Sequence, residues 1–577
     1  MKGFFNQLLR INLSKKTIRV EPVPESTLRS YLGGKGLGTF LLLQENRPRI
    51  DPFSPQNRII LASGPLADTP FYGSSRYAIF TKSPQTGIYS ESYSGGRITL
   101  CLSRTGYDAM IIEGRSKDPV FLEISDEEVV FHPALDLWGR ETFEAEEGIL
   151  KRIGEKDAGA LVIGPAGENL VRFAMIESER GRSLGRAGIG AVMGSKRLKG
   201  IAFHGKRRRE LADPAGLKRL AQEFRERAQV HPIVPMYKKY GTPMLVSIMN
   251  TIGAFPTQYW SKGTLDGWEG ISAESLHERC EVKSVACPSC FMACGKLSEV
   301  KQGRHKGLRI MGPEYETIYA FGGLCMVKSI EEIIYLNDQC DRLGMDTITA
   351  GNLVAFAIEA SKKKKVKETL DYGDVDGIAR VLRKIAYQEG IGRILSRGVR
   401  HAAEVWGMEE QAIHVKGLEP AGFDPRVLKG MGLAYATSDR GACHLRATFY
   451  KSELSGQISP GKIRGKARLF VDFEDKMTLF DSLILCRFYR DLITWKDLQE
   501  ILRYACNLKL KRGELKSMAS SIISLARDFN QREGLTKKED NLPRRFFREV
   551  LKDTGKTIQP RDLQWMLKEY YELRGWK

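Results

Sequence analysis

Long apolar runs are absent from this chain of 577 residues. None approaches the roughly 18 consecutive apolar residues that cross a bilayer, which excludes a membrane-spanning helix. Cysteine is scarce: 10 residues are too few for a secreted protein stapled by disulfides. The segment Met1–Arg10 has neither a sustained apolar stretch nor a small-residue cleavage site, so no export signal is expected and the expected compartment is the cytoplasm. Low-complexity linkers are missing too, which predicts domains packed closely around a shared site. Lys and Arg outnumber Asp and Glu by 90 to 70, a formal charge of +20. Yet no contiguous basic stripe is interleaved with aromatics, as a nucleic-acid platform would be. The basic clusters Lys206–Arg209, Lys362–Lys365, Lys537-Lys538 and Arg544-Arg545 are short and scattered. A basic iron–sulfur nucleic-acid-binding module is therefore disfavoured. The excess charge reads either as solvated faces or as a surface that steers an acidic protein partner.

What remains is an ordinary globular composition, 42% hydrophobic and 28% charged. Up to about His204 the chain reads as strands and glycine-rich turns, with short apolar runs at 58–63, 76–81, 109–113 and 159–164. Beyond Leu211-Ala-Asp-Pro214 the periods lengthen to helical ones, as in Pro214–Phe224, Ser329–Asp338 and Asp376–Ile385. The expected fold class is α+β: a β-rich cofactor-binding domain over 1–210, a helical domain over 211–417 and a second helical domain over 418–577.

Three signals carry chemistry. In Cys287-Pro-Ser-Cys290-Phe-Met-Ala-Cys294, three thiols can wrap one soft metal centre, with a fourth ligand from elsewhere. No second CxxC closes a zinc site nearby, so the spacing favours iron–sulfur over zinc. On spacing alone, Cys280, Cys325, Cys340, Cys443, Cys486 and Cys506 all stand as the fourth ligand. The second signal pairs glycine with arginine: Phe71-Tyr-Gly-Ser-Ser-Arg76, Tyr93-Ser-Gly-Gly-Arg97 and Arg180-Gly-Arg-Ser-Leu-Gly-Arg-Ala-Gly-Ile-Gly190. Guanidinium forks beside bare backbone amides suit phosphate. Gly33-Gly-Lys-Gly-Leu-Gly38 lacks true dinucleotide-loop spacing and reads as a structural turn. The third signal is an echo between Asp341-Arg-Leu-Gly-Met-Asp346 and Asp481-Ser-Leu-Ile-Leu-Cys486, which could present carboxylates to two similar halves of one ligand.

Taken together, these segments resemble the tungsten-containing aldehyde:ferredoxin oxidoreductase family nearly end to end. Also shared are Tyr31-Leu-Gly-Gly-Lys-Gly-Leu-Gly38, Ser83-Pro-Gln-Thr-Gly87, Gly312-Pro-Glu-Tyr-Glu316, Asp528-Phe-Asn-Gln-Arg-Glu-Gly534 and Asp540-Asn-Leu-Pro-Arg-Arg-Phe546. The resemblance implies tungsten, or molybdenum, held by two pterin dithiolenes beside one [4Fe-4S] cluster, with Mg2+ bridging the pterin phosphates. It implies Cys287, Cys290, Cys294 and Cys486 as cluster ligands, and Asp341, Asp346 and Asp481 as acceptors for the pterin rings. Arg76, Gly95, Arg182, Gly185 and Arg186 would meet the phosphates, and Glu316 and His444 would be the acid/base pair, with Glu314 as the competitor of Glu316.

The implied reaction is aldehyde to carboxylic acid, with electrons passing to an acidic ferredoxin or a ferredoxin-like subunit in a homo- or hetero-oligomer. The same family implies a second reading, the catalytic subunit of a benzoyl-CoA-reductase-like complex, some relatives of which place a cysteine near the metal. Cys325 is the residue to watch for that. The chain departs from the family pattern at Tyr93, usually Asn, and at Ile484, usually Gly. It also has no His between His305 and His401 to support an intersubunit iron bridge.

Overall fold

A computed structural model of the chain describes residues 1–576. Strands dominate the first third. β1 (Gln7–Asn12), β2 (Thr17–Pro22), β3 (Ile59–Ala62), β4 (Arg76–Lys82), β5 (Tyr89–Gly95) and β6 (Ala109–Glu113) form a mixed sheet in the order β2-β1-β6-β3-β4-β5. β7 (Val120–Ile124), β8 (Val129–Pro133), β9 (Gly159–Val162) and β10 (Leu198–Phe203) form a second sheet in the order β8-β7-β10-β9. The expected runs at 58–63, 76–81, 109–113 and 159–164 are β3, β4, β6 and β9.

The runs that form β3, β4 and β6 are mostly apolar because these strands of the six-stranded sheet are buried on both faces, and successive side chains of a strand point to opposite faces. Ile59, Leu61, Tyr77, Ile79, Met110 and Ile112 pack toward the second sheet. Ile60, Ala62, Ala78, Phe80, Ala109 and Ile111 pack toward helices, including residues Met477–Leu485 and Leu515–Phe529 near the far end of the chain. The N-terminal sheet thus shares a core with C-terminal helices, which brings Asp481 and Cys486 beside it.

The helices anticipated after residue 211 form, each with a side-chain cap. Asp213 caps Pro214–Gln229, Ser329 caps Ile330–Leu343 and Asp374 caps Val375–Tyr387. Two local expectations need correction. The region read as helical contains a three-stranded antiparallel sheet, β11 (Cys280–Val285), β12 (Gly295–Val300) and β13 (Arg309–Met311), which frames the cysteine motif between β11 and β12. The Gly33–Gly38 segment is not a turn but the start of helix Gly34–Glu45. Its glycines allow close approach: a Cβ on Gly34 would stand 2.0 Å from the carbonyl oxygen of Asp481. No helix among the described residues is long and apolar enough to cross a membrane.

Candidate active site and metal centre

The residues expected as cluster ligands, pterin contacts and acid/base pair all line one cavity of about 380 Å³ at the junction of these elements. Arg76 and Gly95 come from paired ends of β4 and β5; Arg182, Gly185 and Arg186 come from the loop after β9. Asp341 lies in the last turn of helix Ile330–Leu343, and Asp346 caps helix Thr347–Lys362. Asp481 and Cys486 flank the end of helix Lys466–Leu483.

The cysteines divide by environment. Cys287, Cys290, Cys294 and Cys486 are half-buried, whereas the other six are buried. Burial pushes the Cys290 and Cys294 thiols up, and the neighbouring cysteines, Cys486 foremost, add to it, so four thiolates here would repel without a cation among them. Cys290 Sγ lies 3.3 Å from the Tyr489 hydroxyl. That hydroxyl already accepts the Phe291 N–H at 3.2 Å, so its proton is free to be donated to sulfur. Cys325 does not line the cavity; it is a core thiol bonded to the Gly351 carbonyl at 3.4 Å.

The carboxylates are held in position. Asp341 accepts from Asn337 Nδ2 at 2.6 Å. Asp346 accepts from Arg186 Nε at 3.1 Å and from the Thr349 hydroxyl at 2.8 Å. Asp481 lies between Arg487 and Arg446, the latter at 3.4 Å. Behind it, Lys35, 2% exposed, bonds Glu91 at 2.8 Å and Asp439 at 2.7 Å, and Glu91 also pairs with Arg446. Tyr93 belongs to this network: its hydroxyl donates to Glu91 at 2.6 Å, and the guanidinium groups of Arg446 and Arg487 each lie 5.4 Å from its ring. Ile484 takes the left-handed helix-end position (φ 62°) that suits glycine, and its side chain fills the space over Gly34 and Gly64.

Both carboxyls of the Glu-Tyr-Glu segment line the cavity, in different settings. Glu314 is exposed and bonded to the Thr242 hydroxyl. Glu316 lies on the cavity, accepts the Gly422 N–H at 3.0 Å, and its Oε1 is 3.4 Å from His444 Nε2. Burial pushes Glu316 up to about 8, and Asp346 and Glu314 add to this against the pull of Gly422 and Arg186. Burial, reinforced by Arg186, Arg440, Arg487 and Arg490, drives His444 well below its ordinary value, so the imidazole is neutral at pH 7. The sequence had not singled out Arg440, Arg487, Arg490 or Asn337, all of which line the cavity. The signal was available for Arg487 and Arg490, which follow Cys486 directly in Cys486-Arg-Phe-Tyr-Arg490.

Two family models cover the chain. The N-terminal domain of aldehyde ferredoxin oxidoreductase matches residues 8–205, and its domains 2 and 3 match residues 219–577. The chain belongs to the aldehyde ferredoxin oxidoreductase family. It is 34% identical to the tungsten-containing aldehyde ferredoxin oxidoreductase of Thermococcus kodakarensis, over 100% of this chain and 97% of the relative. It is 28% identical to the WOR-like subunit of the aliphatic sulfonate oxidoreductase of Pyrococcus furiosus, over 100% and 95%. Its fold matches the active site complex BamBC of benzoyl-coenzyme A reductase in complex with 1,5-dienoyl-CoA, with a TM-score of 0.85, 24% identity, and coverage of 100% and 95%. The protein is thus an oxidoreductase of the aldehyde ferredoxin oxidoreductase family, with that family's α+β fold.

The cavity suits the large cofactors that this family implies. His444 Nδ1, Arg440 Nε, Arg487 Nε, and Arg490 Nε and Nη2 are buried without a hydrogen-bond partner around it. So many unpaired buried polar atoms are unusual for a fold that is complete without a guest. A Cβ on Gly185 would meet nothing nearer than 3.9 Å, so this loop can accept a group against its backbone. Among the described residues, no three His, Cys, Asp or Glu side chains converge as one ion requires. A four-iron cluster takes one thiolate per corner and needs them spread more widely than the arms of about 2.3 Å around a lone zinc allow.

Proposed function

We propose that this family member oxidises aldehydes to carboxylic acids at a tungsten bis-pterin centre and passes the electrons through one [4Fe-4S] cluster to an acidic ferredoxin or ferredoxin-like subunit. The observation that supports it best is convergence: four half-buried cysteines, arginine–glycine loops, three carboxylates and the Glu316–His444 pair, from distant segments, line one cavity. The reaction balances as RCHO + H2O → RCOOH + 2 H+ + 2 e−.

When bound, the bis-pterin metal supplies the two-electron acceptor and the cluster releases the electrons singly. Cys287, Cys290, Cys294 and Cys486 would hold the cluster. Arg76, Arg182, Arg186, Gly95 and Gly185 would hold the pterin phosphates, with Mg2+ between them. Asp341, Asp346 and Asp481 would accept hydrogen bonds from the pterin rings. Glu316, in its carboxylate form, takes the proton from the attacking water. His444, neutral and beside it, polarises the carbonyl by donating a hydrogen bond. Phe423, 5.7 Å from His444 and stacked on Tyr450 at 4.2 Å, gives this end of the cavity an apolar wall for the aldehyde.

Metal analysis of the purified protein with an aldehyde panel tests the reading. About one tungsten or molybdenum per four irons, with acid formation from an aldehyde, is expected; zinc alone, or no aldehyde turnover in metal-loaded protein, would overturn it. The benzoyl-CoA-reductase-like alternative gains nothing from Cys325, which lies off the cavity.

Tyr489 carries a further prediction. A hydrogen bond to a cluster thiolate withdraws charge from sulfur and stabilises the reduced cluster. Tyr489→Phe is therefore expected to keep its iron but lower the midpoint potential in an EPR-monitored redox titration. An unchanged potential would show that the hydroxyl serves only packing.

A further inference from the structure

We infer that an acidic one-electron carrier protein docks on the face formed by the cysteine loop and its two flanking helices, Pro214–Gln229 and Ile233–Tyr240, and that electrons leave at the Cys290 corner. This localises the partner of the proposed function and rests on that reading for the cluster. Ala286, beside Cys287, and Ser289, beside Cys290, are exposed, so this edge of the loop reaches solvent.

From Cys290 an unbroken aromatic series leads outward. Tyr489 meets Phe291 edge-on at 5.0 Å, and Phe291 meets the half-buried Tyr72 at 5.2 Å. Above Tyr72 lies the exposed Arg225, its guanidinium 5.8 Å from the ring and its Nη1 donating to the hydroxyl at 3.4 Å. The neighbouring Phe224 faces inward, 5.9 Å from both Phe291 and Tyr489, which fixes the helix against the loop.

The second helix is tied to the same loop by a single ammonium. Lys296 Nζ donates to the carbonyls of Tyr237 and Lys238 at 3.2 and 3.1 Å, and to those of Ala293 and Cys294 at 3.1 and 3.2 Å. Lys238 and Lys239 are exposed beyond it, with Met236, 42% exposed, on the same helix. Val230, 79% exposed, lies at the turn between the two helices.

Charge adds to this face, and what sets its cations apart from other free ones, such as Lys363–Lys365, is their place beside exposed apolar side chains and the aromatic series. Arg225, Lys238 and Lys239 appear in none of the ion pairs among the described residues, whereas Arg304, for example, is held by both Glu332 and Asp376. Unpaired cations around exposed apolar side chains, at the end of an aromatic series from a redox ligand, complement an acidic carrier. Such charges act mainly by steering encounter, and salt screens them: the Debye length falls from about 10 Å at 0.1 M to about 3 Å at 1 M.

The test compares the triple variant Arg225→Glu/Lys238→Glu/Lys239→Glu with Lys363→Glu/Lys364→Glu/Lys365→Glu, which changes net charge equally on exposed residues elsewhere. At 0.1 M salt, the ratio of turnover with a purified acidic ferredoxin to turnover with a neutral quinone dye should fall at least about tenfold in the first variant, within the range of steering effects. It should stay within about twofold in the second. Calorimetric binding of oxidised ferredoxin, which needs no substrate, should be lost in the first variant and weakened by 1 M salt in the native protein. Equal effects of the two variants would overturn the assignment, as would binding that persists at 1 M salt, the signature of a permanent apolar subunit contact. Ferredoxin binding lost only in the first variant, in a protein that oxidises no aldehyde, would uphold the docking face and overturn the proposed substrate.

Discussion

Cys290→Ala is expected to abolish the iron–sulfur cluster: iron should fall from about four per chain toward zero, and electron transfer to any protein acceptor should cease. Cys290 is half-buried beside Cys486 and Cys287, and its Sγ takes the Tyr489 hydroxyl at 3.3 Å. Three remaining thiolates leave one iron without a protein ligand. A thiol that only packs would behave otherwise, losing about 1 kcal/mol of stability, as ordinary core truncations do, with iron unchanged. Cys325→Ala is the matched control, because that thiol is fully buried in hydrophobic packing. It should keep its iron and its reduced-cluster EPR signal while its Tm falls. Iron retained in Cys290→Ala would refute the ligand set.

Glu316→Gln is expected to fold and keep its metals, yet lose turnover by about 10²- to 10⁴-fold, the usual contribution of a positioned acid or base. The amide preserves shape and can still accept the Gly422 N–H, but it takes no proton at neutral pH. The pH profile adds a second readout. Burial, with Asp346 and Glu314, pushes Glu316 up to about 8, so a mechanism that needs its carboxylate predicts kcat/KM rising with pH and levelling above about 8. His444, held well below its ordinary value, stays neutral across this range and contributes no limb. Stability runs the opposite way. A folded-state value above the ordinary 4.5 means that the neutral carboxyl favours folding below 4.5, and that this contribution is lost as pH rises through about 8. Glu316→Gln should remove that slope from the Tm-against-pH curve. Near-native kcat in the variant would shift the role to His444, whose replacement by Phe keeps the packing and removes the imidazole.

Much of the site was legible because its chemistry is written in short local strings. Cys287-Pro-Ser-Cys290-Phe-Met-Ala-Cys294 forces three thiols onto one loop whatever surrounds it, and a glycine beside an arginine exposes amides and a guanidinium wherever the loop ends up. The short apolar runs became β3, β4, β6 and β9, and the helical period from Pro214 became a helix that Asp213 caps. Where the pattern misled, a non-local contact had overridden it. The glycines of Gly33–Gly38 look like turn residues, yet they let a helix approach the Asp481 carbonyl. The strands between Cys280 and Met311 pair with one another instead of following the helical context around them.

By itself, then, the sequence determined the residue types of the site, the β-rich start and helical remainder, and the family to which the chain belongs. Only the tertiary structure decided how those pieces meet. Placing Cys486 and Asp481 beside the N-terminal loops depends on C-terminal helices packing against one face of the first sheet, a core shared by residues hundreds of positions apart. The choice of Glu316 over Glu314 rests on exposure and on His444 at 3.4 Å, neither of which a run of letters contains. The same holds for the buried network of Lys35, Glu91, Arg446 and Asp481, whose charges look like surface residues until folding removes the water from them. Local motifs depend on covalent spacing, whereas burial and electrostatics depend on what the rest of the chain brings within a few ångströms.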